Sequence, residues 1–174
     1  MLAVPDQRKY ADFRDYVIMT VLLDTLCRIN EVLSLKKDDI DYTVLTISIS
    51  PEIAKSRKGR VVPIQKRTAR LIKELIAETD FFDSEYVFLA NFGEKMHTNH
   101  FRKRLTKLAV EAGIKKKVYP HLLRYTGATM FLESGGDIRH LQIILGHADL
   151  RMTMKYTHLS SKSILKQSQP QHLL

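Results

Sequence analysis

The sequence predicts an α+β fold that is mainly helical and carries a small antiparallel sheet of three strands. Several segments after residue 66 repeat apolar residues every three or four positions, the spacing of a helix that buries one face. Residues 43–50 instead alternate apolar and polar side chains, as a half-buried strand does. With 174 residues the chain can bury a sizeable core, and we expect residues 1–174 to form one domain.

The first half is predicted to contain two helices and then the sheet. Pro5 and Asp6 open a helical pattern whose apolar side chains share one face: Phe13, Val17, Val21 and Leu22. A second, short helix is expected over residues 30–35, followed by a polar connection over residues 36–39. Strands are predicted over residues 43–50, 53–55 and 60–64, and a turn over residues 56–59 joins the last two.

The second half is predicted to be helical. Helices are expected over residues 67–78, 98–112, 120–133, 138–145, 150–156 and 160–167. Gly113, Gly135 and Gly146 each follow one of these helices, at the place where glycine commonly ends a helix, and Pro170 stops the last one.

The charge is distributed unevenly along the chain. The formal net charge is +9, and residues 95–174 contain 14 lysines and arginines against 4 aspartates and glutamates. A basic field of this size attracts polyanions, and nucleic acid is the commonest polyanionic partner. A ribosomal or membrane-surface protein can have the same balance, but no apolar run here reaches the ~20 residues of a membrane span.

The chain contains a single cysteine, Cys27, which excludes an internal disulfide framework. A chain without disulfides is typical of a reducing compartment, and we expect this one to be cytoplasmic. Because Cys27 lies in a mostly apolar stretch, we interpret it as a small buried hydrophobic residue.

Five short segments together supply a set of arginine, lysine, histidine and tyrosine side chains. They are an R-x-x-E-x-x-x-L box at residues 28–35, Lys55 ahead of a turn and the strand 60–64, His121-x-x-Arg124, Leu145-Gly146-His147, and Tyr156-Thr157-His158. Arg124 and His147 are 23 residues apart, and His147 and Tyr156 are 9 apart. In order and spacing these motifs resemble those of the tyrosine recombinases, the family of the phage integrases and Xer-type enzymes, from about residue 16 to residue 165.

The resemblance implies a tyrosine recombinase catalytic-domain fold and a site-specific enzyme that cleaves and rejoins DNA strands. The catalytic residues that it implies are Arg28, Lys55, His121, Arg124, His147 and Tyr156. Tyr156 would form a 3′-phosphotyrosyl bond that retains the energy for religation, so ATP is not needed. No metal or other cofactor is implied, because fixed cations take the place of a metal.

These residue types suit the chemistry. Arg28 and Arg124 can hold the non-bridging phosphate oxygens with planar, permanently charged groups. A tyrosine hydroxyl has an ordinary pKa of roughly 10, so the nucleophile must lose a proton. His121 or His147 can help to take that proton or can hold a phosphate oxygen, and Lys55 can protonate the departing 5′-oxygen.

Several of these residues also have a structural interpretation. His121 and Arg124, which are three positions apart, can belong to an ordinary helix face. Arg28 can simply pair with Glu31, which is compatible with catalysis; His147 can cap a helix end; and Tyr156 can belong to the core.

Two positions depart from the family pattern. Leu26 stands where the family usually has glycine, which bears on the local turn, and Tyr125 stands where it often has histidine, for which we expect a packing difference.

Two other clusters suggest metal chemistry at first sight. His97 and His100 are three residues apart, but no cysteine or acidic residue lies at ligand spacing, so we interpret them as solvated or DNA-facing. Asp38, Asp39 and Asp41 could suggest a two-metal nuclease. No other acidic cluster recurs later in the chain, and we interpret them as cap and turn residues.

Two basic stretches are predicted to contact DNA. One lies between residues 53 and 73, with Lys66, Arg67, Arg70 and Lys73 at its end, and the other is the helix from residue 98, which includes Arg104 and Lys107. The alternative is a solvated basic face. The side chains predicted to contact DNA are Arg57, Lys58, Arg60, Asn99, His100, Arg102 and Lys103, and we expect Asn99, His100 and Lys103 to face base edges.

The resemblance also implies partners. We expect double-stranded DNA and, on it, a tetrameric synapse of copies that is joined through the C-terminal tail, residues 159–174, with no membrane involved. Members of the family usually have an N-terminal core-binding domain, which we expect to be absent here. Two alternative functions stay open: a type IB topoisomerase-like enzyme that relaxes supercoils without site preference, and a non-catalytic DNA-binding fragment.

Overall fold

The computed structural model of the chain describes residues 1–157, which form a mainly helical fold with a small sheet. The helices are α1 (Tyr10–Thr25), α2 (Ile29–Leu33), α3 (Lys66–Thr79), α4 (Thr98–Glu111), α5 (Pro120–Glu133), α6 (Ile138–Leu145) and α7 (Arg151–Met154). The strands are β1 (Ile40–Asp41), β2 (Thr46–Ile49) and β3 (Arg60–Pro63), and short 3-10 helices cover Lys37–Asp39 and Asp80–Phe82. The predicted fold class is confirmed.

Helix α1 lies at the centre of the fold. It packs against α3 and α5 and also touches α2 and α4, so it is buried on almost every side. Its buried charges are paired: the Arg14 guanidinium binds the Asp15 carboxylate and the Leu89 carbonyl. A helix in this position fixes where its own C-terminal end lies, and the first of the predicted catalytic arginines follows that end.

The predicted start of α1 is wrong by about one turn. The helix begins at Tyr10 rather than at Pro5, after Lys9 in an extended conformation. Asp6 accepts hydrogen bonds from the backbone and the side chain of Arg8, which holds residues 6–8 in a turn of their own. Aspartate often competes with a helix in this way.

The sheet has three antiparallel strands in the order β1-β2-β3. The prediction of three strands is confirmed, but the strand predicted over residues 53–55 is wrong. That segment forms turns, in which the Ala54 amide donates to the Ser50 carbonyl. The outer strand is Ile40–Asp41 instead, and the Asp41 carboxylate accepts hydrogen bonds from the backbone amides of Thr43 and Val44, as a turn residue does.

The helices of the second half agree with the prediction. Helices α5 and α6 have the predicted bounds, and Gly113, Gly135 and Gly146 all have the positive φ of helix-ending glycines. Helix α7 is shorter than predicted, and the helix predicted over residues 160–167 lies outside the described residues. No helix within residues 1–157 is long and apolar enough to cross a membrane.

A second, smaller hydrophobic cluster lies beside the main core. It contains Leu26, Ala128, Leu141, Leu145 and Tyr156. Helix α5 reaches it by a close approach to the end of α1, at a point where a Cβ on Gly127 would lie 2.5 Å from Leu26 Cδ2. The small cluster therefore joins the end of α1, the middle of α5, the end of α6 and the residues after α7.

Candidate active site

The turn between α1 and α2 positions Arg28. Leu26 adopts a left-handed conformation with φ 54°, which glycine adopts without strain and which costs other residues roughly 1–2 kcal/mol. Its side chain is buried in the small cluster, and that burial offsets the strain. The departure from glycine at this position is thus accommodated, and Arg28 becomes the N-cap residue that immediately precedes α2.

A buried carboxylate, that of Glu31, holds Arg28 in place. Glu31 is 1% exposed and accepts hydrogen bonds from the Arg28 backbone nitrogen at 2.7 Å and from Arg28 Nη1 at 3.1 Å. It also binds Arg60 Nη1 at 3.1 Å and Nη2 at 2.8 Å. Burial alone would raise the pKa of Glu31, but the hydrogen bonds and charges of the two arginines hold it below its ordinary value.

Arg60 does not lie where the sequence prediction put it. It was expected to contact DNA, but its side chain is only 7% exposed, and its guanidinium is occupied by Glu31. Its Nε donates to the Ile144 carbonyl at 2.8 Å. Gly146 permits this packing, since a Cβ there would lie 3.3 Å from the guanidinium carbon. This geometry does not fit direct contact with a phosphate; it joins β3 to the end of α6.

Arg124 makes a second connection between the elements of the site. It is buried in α5, with Nη1 bound to the Leu26 carbonyl and Nη2 to the Leu145 carbonyl at 2.8 Å. Burial and the nearby charge of Arg28 lower the pKa of Arg124, but a guanidinium still keeps its proton at neutral pH. The remaining three N–H groups of Arg124 make no hydrogen bond with residues 1–157.

His121 lies on the first turn of α5 among cations. Burial lowers its pKa, and the charges of Arg124, Arg28, Arg102 and Lys55 lower it further. These four residues come from four different parts of the chain, and their charges meet at one imidazole. His121 is therefore neutral at neutral pH.

His147 follows Gly146 and faces a similar set of charges. Burial lowers its pKa to about 4, together with the charges of Arg124, Arg28, Lys155 and Arg60. Its Nδ1 lies 2.9 Å from the hydroxyl of Thr153. This imidazole is neutral as well, and it lies between the end of α6 and α7.

Tyr156 follows α7 and lies against His147. The two rings are stacked, with centroids 6.4 Å apart and an interplanar angle of 17°. The Tyr125 ring also packs on Tyr156, with ring centroids 5.0 Å apart and an interplanar angle of 44°. Lys155 Nζ lies 5.2 Å from the centroid of the Tyr156 ring. His158, the last residue of the motif, lies outside the described residues.

The other predicted DNA contacts are exposed. Lys55, Arg57 and Lys58 lie on the connection between β2 and β3, and Asn99, His100, Arg102 and Lys103 lie on the first turns of α4. Arg104 on the same helix is different, because it binds the carboxylates of Asp12 and Asp15 on α1. It is a structural residue, contrary to the expectation of a phosphate contact.

The sequence did not reveal every residue that shapes the site. Glu31 was noticed only as a partner of Arg28, Arg60 was assigned to the surface, and Thr153 was not considered. The pairing of Arg60 with Glu31 spans 29 positions, so no local spacing could have indicated it. Thr153 lies on α7, three residues before Tyr156, and this short spacing could have indicated that it lies near the same site.

Comparison with known proteins shows the family to which the chain is similar. Residues 1–163 match the model of the phage integrase family. The chain is 33% identical to the tyrosine recombinase XerD of Listeria monocytogenes serotype 4b (strain F2365), covering 98% of this chain and 59% of that protein. It is 31% identical to the tyrosine recombinase XerC of Chlamydia caviae, covering 93% of this chain and 52% of that protein.

The fold of the chain is also similar to that of recombinases whose structures have been solved. The crystal structure of XerA recombinase superposes with a TM-score of 0.80 and 33% identity, covering 93% of this chain and 60% of that one. The XerH site-specific recombinase, in its post-cleavage complex, gives a TM-score of 0.77 at 23% identity over 91% of this chain and 46% of that one; an identity this low shows the fold alone. The chain thus spans about half to three fifths of these relatives.

The two neighbouring cations Arg60 and Lys58 are expected to behave differently. Arg60→Ala leaves a buried carboxylate with one partner fewer and should lower the free energy of unfolding by roughly 3 kcal/mol. Lys58→Ala, at an exposed position, should change it by less than about 0.5 kcal/mol. Urea unfolding of both variants measures this.

The order is reversed for DNA binding, where the loss of Lys58 should have an effect and the loss of Arg60 should not. Lys58→Ala should reduce the slope of log affinity against log salt by about 1, as loss of a phosphate contact does, and Arg60→Ala should leave the slope unchanged. Titration of fluorescent DNA at several salt concentrations is the measurement. An Arg60→Ala variant with normal stability and a reduced slope would show that Arg60 contacts DNA after all.

Proposed function

The chain belongs to the phage integrase family of tyrosine recombinases, and from this we propose that it cleaves and rejoins DNA strands at specific sites through a covalent bond to Tyr156. The observation that carries the proposal is the meeting of charges at His121 and His147, where Arg28 and Arg124 act on both imidazoles and Tyr156 stacks on one of them. A phosphodiester is the anion that such a cluster suits.

The two arginines would hold the phosphate. Arg28 has one side-chain N–H bound to Glu31 and Arg124 has two N–H groups bound to backbone carbonyls, among residues 1–157. Each therefore keeps donors for the non-bridging oxygens of a phosphodiester. As attack proceeds, the charge on these oxygens rises toward two, and fixed guanidinium groups stabilise that state more than the ground state.

The covalent step exchanges one phosphate ester for another. The Tyr156 oxygen forms a bond to phosphorus while the bond to the 5′-oxygen breaks, and the tyrosine proton passes to a neutral histidine. The departing 5′-oxygen takes a proton from Lys55, whose charge reaches His121 from the connection between β2 and β3. The reverse sequence rejoins a strand, and the phosphotyrosyl bond supplies the energy.

DNA would lie across the exposed cations next to this site. Lys55, Arg57 and Lys58 lie on one side, and Asn99, His100, Arg102 and Lys103 on α4 lie on another, where Arg102 is close enough for its charge to act on His121. Lysine and arginine contacts to phosphates position a protein on DNA, and contacts to base edges specify the sequence. Asn99, His100 and Lys103 are our candidates for the base contacts, and the reaction would take place in the cytoplasm.

Replacement of the nucleophile tests the proposal. Tyr156→Phe should preserve the fold, because the ring still fills the small cluster, and should preserve DNA affinity, but it should form no covalent adduct. A nicked suicide substrate that carries a label traps the adduct of the wild-type chain on a denaturing gel. Tyr125→Phe, which keeps the neighbouring ring and removes its hydroxyl, is the matched control and should still form the adduct. An adduct that persists in Tyr156→Phe would exclude Tyr156 as the nucleophile.

Recombination also needs several copies of the chain, and we propose a tetrameric synapse on paired DNA sites that is connected through residues 159–174. That segment lies outside the described residues. Its sequence contains few apolar residues, among them Ile164 and Leu165, too few to stabilise a short helix by itself. The acceptor on the neighbouring copy would be a groove of about 720 Å³ whose apolar lining includes Leu23, Leu26, Met130, Phe131 and Ile144.

A chain without residues 160–174 should be a folded monomer that binds DNA, cleaves it at an altered rate and does not recombine it. Met130→Glu, at a 58% exposed position of the groove, should have the same effect with the tail intact, and Thr126→Glu on an exposed position of the same helix should have none. Sedimentation with paired sites and a recombination assay give the readouts. Assembly and recombination by the truncated chain would refute the role of the tail.

A further inference from the structure

The side chain of Thr153 lies within hydrogen-bonding distance of the His147 ring. Thr153 is buried on α7 with no exposed surface, and its Oγ1 lies 2.9 Å from His147 Nδ1. The same residue is linked to the nucleophile, since the Tyr156 amide donates to the Thr153 carbonyl at 3.0 Å. Thr153 is therefore hydrogen-bonded to His147 through its side chain and to Tyr156 through its backbone.

The direction of this hydrogen bond follows from what else the hydroxyl can reach. Among residues 1–157, His147 Nδ1 is the one polar partner of Thr153 Oγ1. If the ring donated to the oxygen, the hydroxyl hydrogen would be buried without an acceptor, which is unfavourable. If the hydroxyl donates to the ring, both groups are satisfied, and the proton of a neutral imidazole must lie on Nε2.

The ring is neutral, so its tautomer decides what it can do. His147 is surrounded by Arg124, Arg28, Lys155 and Arg60, whose positive charges oppose a proton on the ring as burial does. A neutral imidazole with its proton on Nε2 is a hydrogen-bond donor at Nε2 and has no free acceptor, because Nδ1 is already occupied.

We propose that Thr153 is a positioning residue that donates to Nδ1 of His147 and so fixes the tautomer in which Nε2–H is offered to an oxygen of the bound phosphate. His147 then cannot accept the proton of Tyr156, and that proton goes to His121. The consequence for the phosphate rests on the proposed function, but the tautomer itself is a property of the chain without DNA.

The tautomer can be measured directly. Long-range proton–nitrogen correlation spectra of the ¹⁵N-histidine-labelled chain distinguish a ring protonated on Nε2 from one protonated on Nδ1, and His147→Gln identifies the signal. The wild-type chain should show the Nε2–H form at neutral pH. Thr153→Ser, which keeps the hydroxyl, should show the same form, and Thr153→Val, which has nearly the same shape, should show a mixture. An Nδ1–H form in the wild-type chain, or an unchanged spectrum in Thr153→Val, would overturn the inference.

Cleavage provides the second readout. In single-turnover assays on a suicide substrate, Thr153→Ser should stay within about 3-fold of the wild-type rate, and Thr153→Val should be slower by roughly 10- to 100-fold at equal DNA affinity. Equal cleavage rates in Thr153→Val and the wild type would refute the positioning role. If the wild-type chain forms no adduct, the proposed function fails, while the spectrum of the DNA-free chain still decides the tautomer.

Discussion

The buried carboxylate of Glu31 is the constraint on which the rest of the site depends. A charge with 1% exposure is tolerated only when it is well paired, and here its partners come from two directions. Arg28 binds it from the start of α2, and Arg60 binds it from β3. Since Arg60 also holds the Ile144 carbonyl, a single carboxylate fixes α2, the sheet and the end of α6 relative to one another.

Arg124 adds α5 to this framework through its hydrogen bonds to the Leu26 and Leu145 carbonyls. Arg124 binds the carbonyls that precede Cys27 and Gly146, so the backbone just before each functional segment is held by a buried cation. A consequence is that positive charge accumulates around both histidines and lowers their pKa values. The same residues that keep the imidazoles neutral are cations suited to an anion, and the proposed transfer of a phosphate ester to tyrosine would use both properties.

Much of this could be predicted from the sequence. Apolar periodicity and helix-ending glycines located α5 and α6, because those signals are local. The motifs around Arg28, His121, Arg124, His147 and Tyr156 indicated residues that the structure brings around one another. The prediction failed where tertiary contacts decide. In the sequence, Arg60 belongs to a basic stretch that is typical of an exposed surface. In the structure it is buried because it pairs with the carboxylate of Glu31, 29 residues away. Residues 53–55 look like a strand, but they follow Pro51 and form turns.

A double-mutant cycle on Glu31 and Arg60 tests the central claim most directly. Glu31→Gln, Arg60→Met and the double variant would be compared by the free energy of unfolding, with single-turnover cleavage measured on the same samples. If the carboxylate and the guanidinium act as one unit, the two substitutions should be non-additive by about 1.5 kcal/mol or more, and the double variant should be more stable than the sum of the single effects predicts. Additivity within about 0.5 kcal/mol would contradict this account.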